Sequence, residues 1–422
     1  MEIIAQHGTL FMGMAALFAF YACWAIGAND VANAMGPPVG SGSLTLRNAV
    51  IIAAIFEFAG AFIAGGEVTG TIRKGIVDPQ VFVAVPHLLM YGMTSAMLAT
   101  AIWLHIATAK GWPVSTTHTI VGAVAGFAAV GVGVDTVQWG KMGEIVASWV
   151  VSPVLGAVMA FLLTISVRKL VLETNDPFAS ARKWGPMYVF LVGFIVALVT
   201  LFKGLEHLKL KLSTTETFVI AVLLGVGCAV IGKLMINRIQ PDPSLEKEFH
   251  FANAEKVFVP MMIFTAAAMC FAHGSNDVAN GIGPLAAVLD VVNSGGKVSG
   301  KSPLPLWVLT MGGVAIVVGL ATYGAKVIQT IGTKLTELTP SRAFSATLSA
   351  ATVVVLASKT GMPVSTTHIA VGSVIGVGLA RGVGSIDLRV LLNIVISWLI
   401  TVPAGALGSA VLFFLLKGIF GA

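Results

Sequence analysis

Apolar runs long enough to bridge a bilayer recur along all 422 residues, and short polar clusters interrupt them in a repeating order. The runs at 10–25, 145–165, 187–202, 218–235 and 391–416 each reach, or nearly reach, the ~20 residues that cross hydrocarbon as a helix. Between such runs stand polar stretches that a greasy span does not need: "GANDVANAMGP" at 27–37, "GSNDVANGIGP" at 274–284, and "PVSTTH" at 113–118 and again at 363–368. The pattern predicts an all-α polytopic membrane protein.

The polar stretches reveal an internal duplication. Asn29, Asp30, Val31, Ala32, Asn33, Gly36 and Pro37 match Asn276, Asp277, Val278, Ala279, Asn280, Gly283 and Pro284 at a constant offset of 247, and the "PVSTTH" copies lie 250 apart. A looser match follows, Ser148, Trp149 and Pro153 against Ser397, Trp398 and Pro403. Three correspondences in one order define a first repeat over 1–165, a connector over 166–256 and a second repeat over 257–422. Each repeat holds five apolar segments: 10–27, 47–66, 88–109, 113–132 and 143–165, then 257–275, 305–322, 342–358, 363–380 and 388–416. The connector adds two, for about 12 membrane segments.

Five is odd, so the second repeat enters the membrane upside down. Hairpins that turn back at 88–132 and 342–380 leave this parity unchanged, so broken or re-entrant helices are expected at the centre. Inverted repeats mark many secondary transporters, with substrate sites at the repeat interface near mid-membrane. The two polar linkers of the connector hold seven basic residues (Arg168, Lys169, Arg182, Lys183, Arg238, Lys247, Lys256), against three in the loop between its spans (Lys203, Lys209, Lys211). The positive-inside rule places the linkers in the cytoplasm and both termini outside, although Arg73 and Lys74 then also lie outside.

Composition sharpens this reading. Hydrophobic residues make up 56%, charged residues 10%, and the mean hydropathy is +0.92, far from the quarter charged that soluble domains carry. The net charge of +6 follows from cytoplasmic Lys and Arg and needs no nucleic-acid partner. The first ten residues lack Lys and Arg, so the first span is expected to be retained. Cys23, Cys228 and Cys270 lie in apolar stretches and read as buried thiols.

An ionised Asp at mid-membrane costs roughly 2.5–3.5 kcal/mol on insertion scales. A chain that places Asp30 and Asp277 at equivalent positions needs a compensating partner, and a cation is the simplest. Asn33 and Asn280 follow within one helical turn, so amide and carboxylate oxygens converge. The Gly- and Pro-rich stretches after them, 34–43 and 281–284, are expected to leave helical geometry and expose carbonyls. Such oxygens suit a hard cation; the bland alternative is helix capping.

Pro113 and Pro363 push Trp112 and Met362 out of helical geometry, so a helix is expected to begin at each. Ser115, Thr116 and Thr117, like Ser365, Thr366 and Thr367, then crowd a helix N-terminus, where free N–H groups and hydroxyls suit an anion. No Arg is present to hold a tetrahedral oxyanion too tightly for release. Interhelical hydrogen bonding is the alternative for any single hydroxyl. Gly122, Gly126, Gly372 and Gly376 allow close packing just downstream. His118 and His368 read as hydrogen-bonding orienters, without the spacing of a zinc site. Glu57 is a lone acid inside a span with no equivalent in the second repeat, either a further cation or proton site or a helix–helix hydrogen bond. Lys110 and Lys359, before the two prolines, either snorkel or draw in an anion.

A divalent oxyanion near two carboxylates in low dielectric requires mobile cations. Sodium suits oxygen-only sites, and protons on Asp30, Asp277 or Glu57 are the alternative. Phosphate fits better than sulfate, because it keeps a proton to donate to a carboxylate or amide oxygen.

With both motif pairs on the page, the chain resembles the inorganic phosphate transporter (PiT) family of sodium- or proton-coupled phosphate permeases, over about residues 10–416. The resemblance implies a twelve-segment inverted-repeat fold, outside termini, a homodimer in the lipid bilayer of the plasma (inner) membrane, and phosphate symport without an enzymatic activity or cofactor. It also implies that Asn29, Asp30, Asn33, Asn276, Asp277 and Asn280 bind the cation, that the two Ser-Thr-Thr triplets bind phosphate, and that Glu57 is the acid of the second span. The short connector points to a prokaryotic form. Rival readings are a proton-coupled phosphate or sulfate permease, a passive anion channel, and an intramembrane metalloenzyme built on His118, His368, Asp30 and Asp277.

Overall fold

A computed structural model describes residues 2–65, 75–203, 212–242, 244, 251–298, 305–359 and 364–421. Arg73, Lys74, Lys209, Lys211, Lys247, Met362 and Pro363 lie outside the described residues. The first repeat forms α1 (Glu2–Asn29), α2 (Ala32–Gly40), α3 (Leu46–Ala64), α4 (Pro86–Ala109), α5 (Thr116–Gly131) and α6 (Trp139–Val167). The connector forms α7 (Pro177–Lys203) and α8 (Thr214–Asn237). The second repeat forms α9 (Ala252–Asn293), α10 (Leu306–Tyr323), α11 (Ala325–Gln329), α12 (Pro340–Lys359), α13 (Thr366–Arg381) and α14 (Leu388–Phe420).

Among the described residues, ten helices are long and apolar enough to cross a membrane. With α1 and α2 taken as one broken segment, these ten and the 16-residue helices α5 and α13 make the twelve expected segments. Long apolar side chains on α6, α8 and α14, such as Val150, Leu223 and Leu399, point outward to lipid, whereas α4, α9 and α12 are largely enclosed. The chain therefore has a polar-containing centre inside an apolar ring.

Both hairpins turn back. Tyr91 near the start of α4 donates to the carbonyl of Gly421, and Gly131 at the end of α5 abuts Phe413. Both ends of the first hairpin thus sit at the end of the bundle that holds the chain termini, where His7 also packs on Phe420. The second hairpin has the opposite polarity. Ser341 at the start of α12 donates to Glu255 at the start of α9, and Arg168 beyond α6 donates to the carbonyl of Ala380 near the end of α13. The two tips meet in the middle, as an inverted duplication requires.

The repeats interlock rather than stand side by side. Helix α5 packs along α14 and α13 along α6; likewise α1 packs on α10 and α3 on α9. Small residues at these crossings let backbones touch, which is how membrane helices associate without a hydrophobic drive. A methyl group on Gly122 or Gly126 would strike the carbonyls of Val402 and Ala406 on α14. One on Gly372 or Gly376 would strike those of Pro153 and Ala157 on α6.

Candidate functional site

A turn at Asp30 and Val31 interrupts the helix between α1 and α2, which begins at Ala32. No side chain caps the start of α2, so the Asn-Asp pair is not a helix cap. Most of the stretches expected to be irregular is helical instead: α2 runs through Gly36, Pro37 and Pro38 and ends at Gly40, so only 41–43 leave the helix, and α9 is continuous through Gly281–Pro284. Packing on every side holds these turns, and Pro in a membrane helix removes one hydrogen bond without ending the helix. The removed bond falls at a telling place. Pro37 and Pro284 have no N–H, so the carbonyls of Asn33 and Asn280, four residues earlier, receive no helical donor.

The hairpin tips bring the hydroxyl triplets together. Ser115 and Ser365 are N-caps, accepting from the N–H groups of His118 and His368 at 3.2 Å, so each helix begins at the first Thr of its triplet, three residues past the proline where a start was expected. Thr117 donates to the carbonyl of Val364 (3.1 Å) and Thr367 to that of Val114 (3.0 Å), so each tip is tied to the other. The asparagines cross-link the repeats in the same way. Asn33 donates to Thr367 (2.9 Å) and Thr366 (3.4 Å), and Asn280 to Thr117 (3.2 Å). Two helix N-termini, with their unbonded first-turn N–H groups, therefore face a shared cluster of amides and hydroxyls.

Asn29 has a different posting. It donates to Thr108 (2.9 Å) and the carbonyl of Trp112 (3.0 Å), and it accepts from the N–H of Val114 (3.2 Å). Its amide thus holds the tip of the first hairpin. Asn276 is buried at the matching position of α9.

Asp30 and Asp277 are both buried, and ligand atoms of Asp30, Asp277 and His273 all lie within 4.8 Å of one another. His273 was not anticipated. Its Nδ1 lies 2.8 Å from Glu57 Oε2 and its Nε2 2.7 Å from Asp277 Oδ2. Thr366 also donates to Asp277 Oδ2, at 2.6 Å. The signal was present in the sequence: His273 precedes Asp277 by four residues, one helical turn, where the first repeat has Ile26 before Asp30. Among the described residues no Lys or Arg pairs with these carboxylates. One imidazole balances at most one of three acids.

Several acceptors are left over. Asp30 Oδ1, Asn33 Oδ1, Asn280 Oδ1, Glu57 Oε1 and Thr116 Oγ1 are buried without a hydrogen-bond partner. Buried oxygens in this condition call for an ion or water, and an all-oxygen set suits a hard cation.

His118 and His368 stack on Trp149 and Trp398 with ring centroids 3.6 Å apart. His368 Nδ1 also lies 3.2 Å from the carbonyl of Trp149, while the Nε2 atoms of both rings make no hydrogen bond. Stacking, more than hydrogen bonding, positions them. Cys23 and Cys270 are buried and Cys228 is half-buried.

A sequence profile described as the phosphate transporter family matches residues 26–409. The chain belongs to the phosphate transporter family. A relative from Haemophilus influenzae named "Putative phosphate permease" is 46% identical over 421 residues, covering all of both chains. One of the same description from Pyrococcus abyssi is 44% identical over 407 residues, 96% of each. A solved structure called "The sodium-dependent phosphate transporter" superposes with a TM-score of 0.88 at 39% identity, covering 97% of this chain and 100% of that one. Membership of this phosphate transporter family makes the chain an integral membrane transporter and not an enzyme, and it agrees with the resemblance carried by the two motif pairs.

Proposed function

We propose that this protein is a secondary active symporter that moves inorganic phosphate with sodium by alternating access. The observation that carries the reading is the buried set of partnerless oxygens on Asp30, Asn33, Asn280 and Glu57, set against two facing helix N-termini and, among the described residues, no Lys or Arg counter-charge. A phosphate dianion placed among three acids and one imidazole would be repelled strongly in low dielectric. Sodium ions on Asp30, Asn33, Asp277 and Asn280 remove that repulsion and make transport of either ion depend on the other. Ser115, Thr116, Thr117, Ser365, Thr366 and Thr367, with their first-turn N–H groups, then cradle the anion once the tips part. Asn29 and Asn276 support the set, the former through the hairpin tip. The structural neighbour's description as sodium-dependent points the same way.

In this reading the connector's linkers face the cytoplasm of a prokaryotic inner membrane, both termini lie outside, and the working unit is a homodimer. Proton coupling is the second reading, because His273 joins Glu57 to Asp277 in an unbroken chain of short contacts. Uptake of labelled phosphate into proteoliposomes under imposed sodium, potassium or proton gradients, with sulfate as competitor, tests both. Uphill accumulation driven by inward sodium is the expected result; phosphate flux indifferent to every cation gradient would refute symport.

A further inference from the structure

The tip of the first hairpin also borders a cavity that the proposed site does not use. It has a volume of about 200 Å³, and its lining includes Lys110, Trp112, Pro113, Thr330, Lys334 and Asn393. Two lysines and no acidic residue are among its lining residues. Both lysines are exposed, and among the described residues neither is in an ion pair; Lys110 rests over the Trp112 ring, 4.5 Å from its centroid. A cleft lined by one sign of charge concentrates counter-ions.

The cavity stands next to the transport site. Gly111, Trp112 and Pro113 belong to its lining, and Asn29 bonds the carbonyl of Trp112 while Trp398 bonds that of Pro113. This stretch is followed by Ser115, two residues after Pro113. Thr330 latches it by donating to the carbonyl of Gly111 (2.9 Å), and Gly111 adopts φ +68°, a left-handed turn that favours glycine. The mouth lies towards the end of the bundle that holds the connector's linkers, since the α14 residues in its lining are at the start of that helix.

We propose that this cavity is the antechamber through which phosphate reaches or leaves the site at the linker end, with Lys110 and Lys334 as steering residues and 111–113 as the gate. The inference rests on the transport reading and extends it. Lysine suits the task, because a hydrated point charge attracts phosphate without the bidentate hold of Arg. The duplication places Lys359 at the end of α12, before the second tip, so each hairpin carries a lysine just ahead of its hydroxyl triplet.

The test uses sealed vesicles sorted by orientation through a Ser244→Cys label in a Cys228→Ser background, Ser244 being exposed in the second linker. For the Lys110→Gln, Lys334→Gln double variant, labelled phosphate taken up from the linker face at low salt is expected to fall roughly tenfold. High salt should erase most of the difference. A loss that high salt does not diminish, or no loss at low salt, would overturn the antechamber. If the wild-type protein shows no cation-driven phosphate flux, the failure lies instead with the transport reading.

Discussion

The two halves of the site share one motif but not one electrostatic solution. In the second repeat Asp277 is met by His273 and Thr366, and His273 is met by Glu57. In the first repeat the same helical positions are apolar. Gly27 packs against the backbone of Ile316, just as its counterpart Gly274 packs against that of Glu57. Ile316 therefore stands where Glu57 would, Ile26 stands where His273 would, and Asp30 keeps an oxygen with no partner. Thr116, the mate of Thr366, has a hydroxyl with no hydrogen-bond partner. One half carries a resident partner and the other waits for one. Duplication supplied two acids, and divergence made their surroundings unequal.

The largest expected effect comes from removing the resident partner. His273→Ala leaves Glu57 and Asp277 buried without their shared imidazole and should destabilise the protein by roughly 3–5 kcal/mol. Copying the first repeat with the double change His273→Ile, Glu57→Ile should recover part of this, with a coupling of about 2 kcal/mol. Thermal unfolding of both single variants and the double variant in detergent measures it, and additivity would deny the pair its role.

Next in size is the comparison of the acids themselves. Asp30→Asn should lower sodium-driven phosphate uptake about 100-fold, against roughly tenfold for Asp277→Asn, a difference near 1.4 kcal/mol. Equal losses would break the distinction between the halves. A transplant sharpens it: Ile26→His with Ile316→Glu gives Asp30 a partner of its own and should weaken apparent sodium affinity by about tenfold. Unchanged sodium dependence of uptake would show that Asp30 does not meet the cation. The smallest effect lies with the hydroxyls. Thr366→Val removes a 2.6 Å bond to a carboxylate and should cost roughly fivefold more in uptake than Thr116→Val, whose hydroxyl makes no such bond; the reverse order would reassign the two threonines.

Much of this was legible in the chain. The constant offsets named Asp30 and Asp277, Asn33 and Asn280, and the two triplets as a set, because duplication preserves spacing even when nothing else is known. Parity alone ordered the inversion. Other features stayed hidden for definable reasons. Asn29 and Asn33 look equivalent in "NDVAN", but only the packing of α1 on the first hairpin turns Asn29 towards Trp112 and Val114. Gly and Pro suggested broken backbone after each Asn, whereas close neighbours keep both stretches helical. His273 passed unnoticed because its partner Glu57 lies 216 residues away.

By itself, the sequence determined that this chain lives in a bilayer, that it is two copies of one unit in opposite senses, and which oxygens recur in both. These are properties of composition and period, which local chemistry dictates. Tertiary structure alone decided that each hairpin packs on the last helix of the other repeat, and that the two tips join their hydroxyls at the centre. It also decided that a single histidine meets Glu57 and Asp277, with no such short contact to Asp30. Such facts depend on which distant residues share a few ångströms, and no local pattern encodes a distance across the membrane.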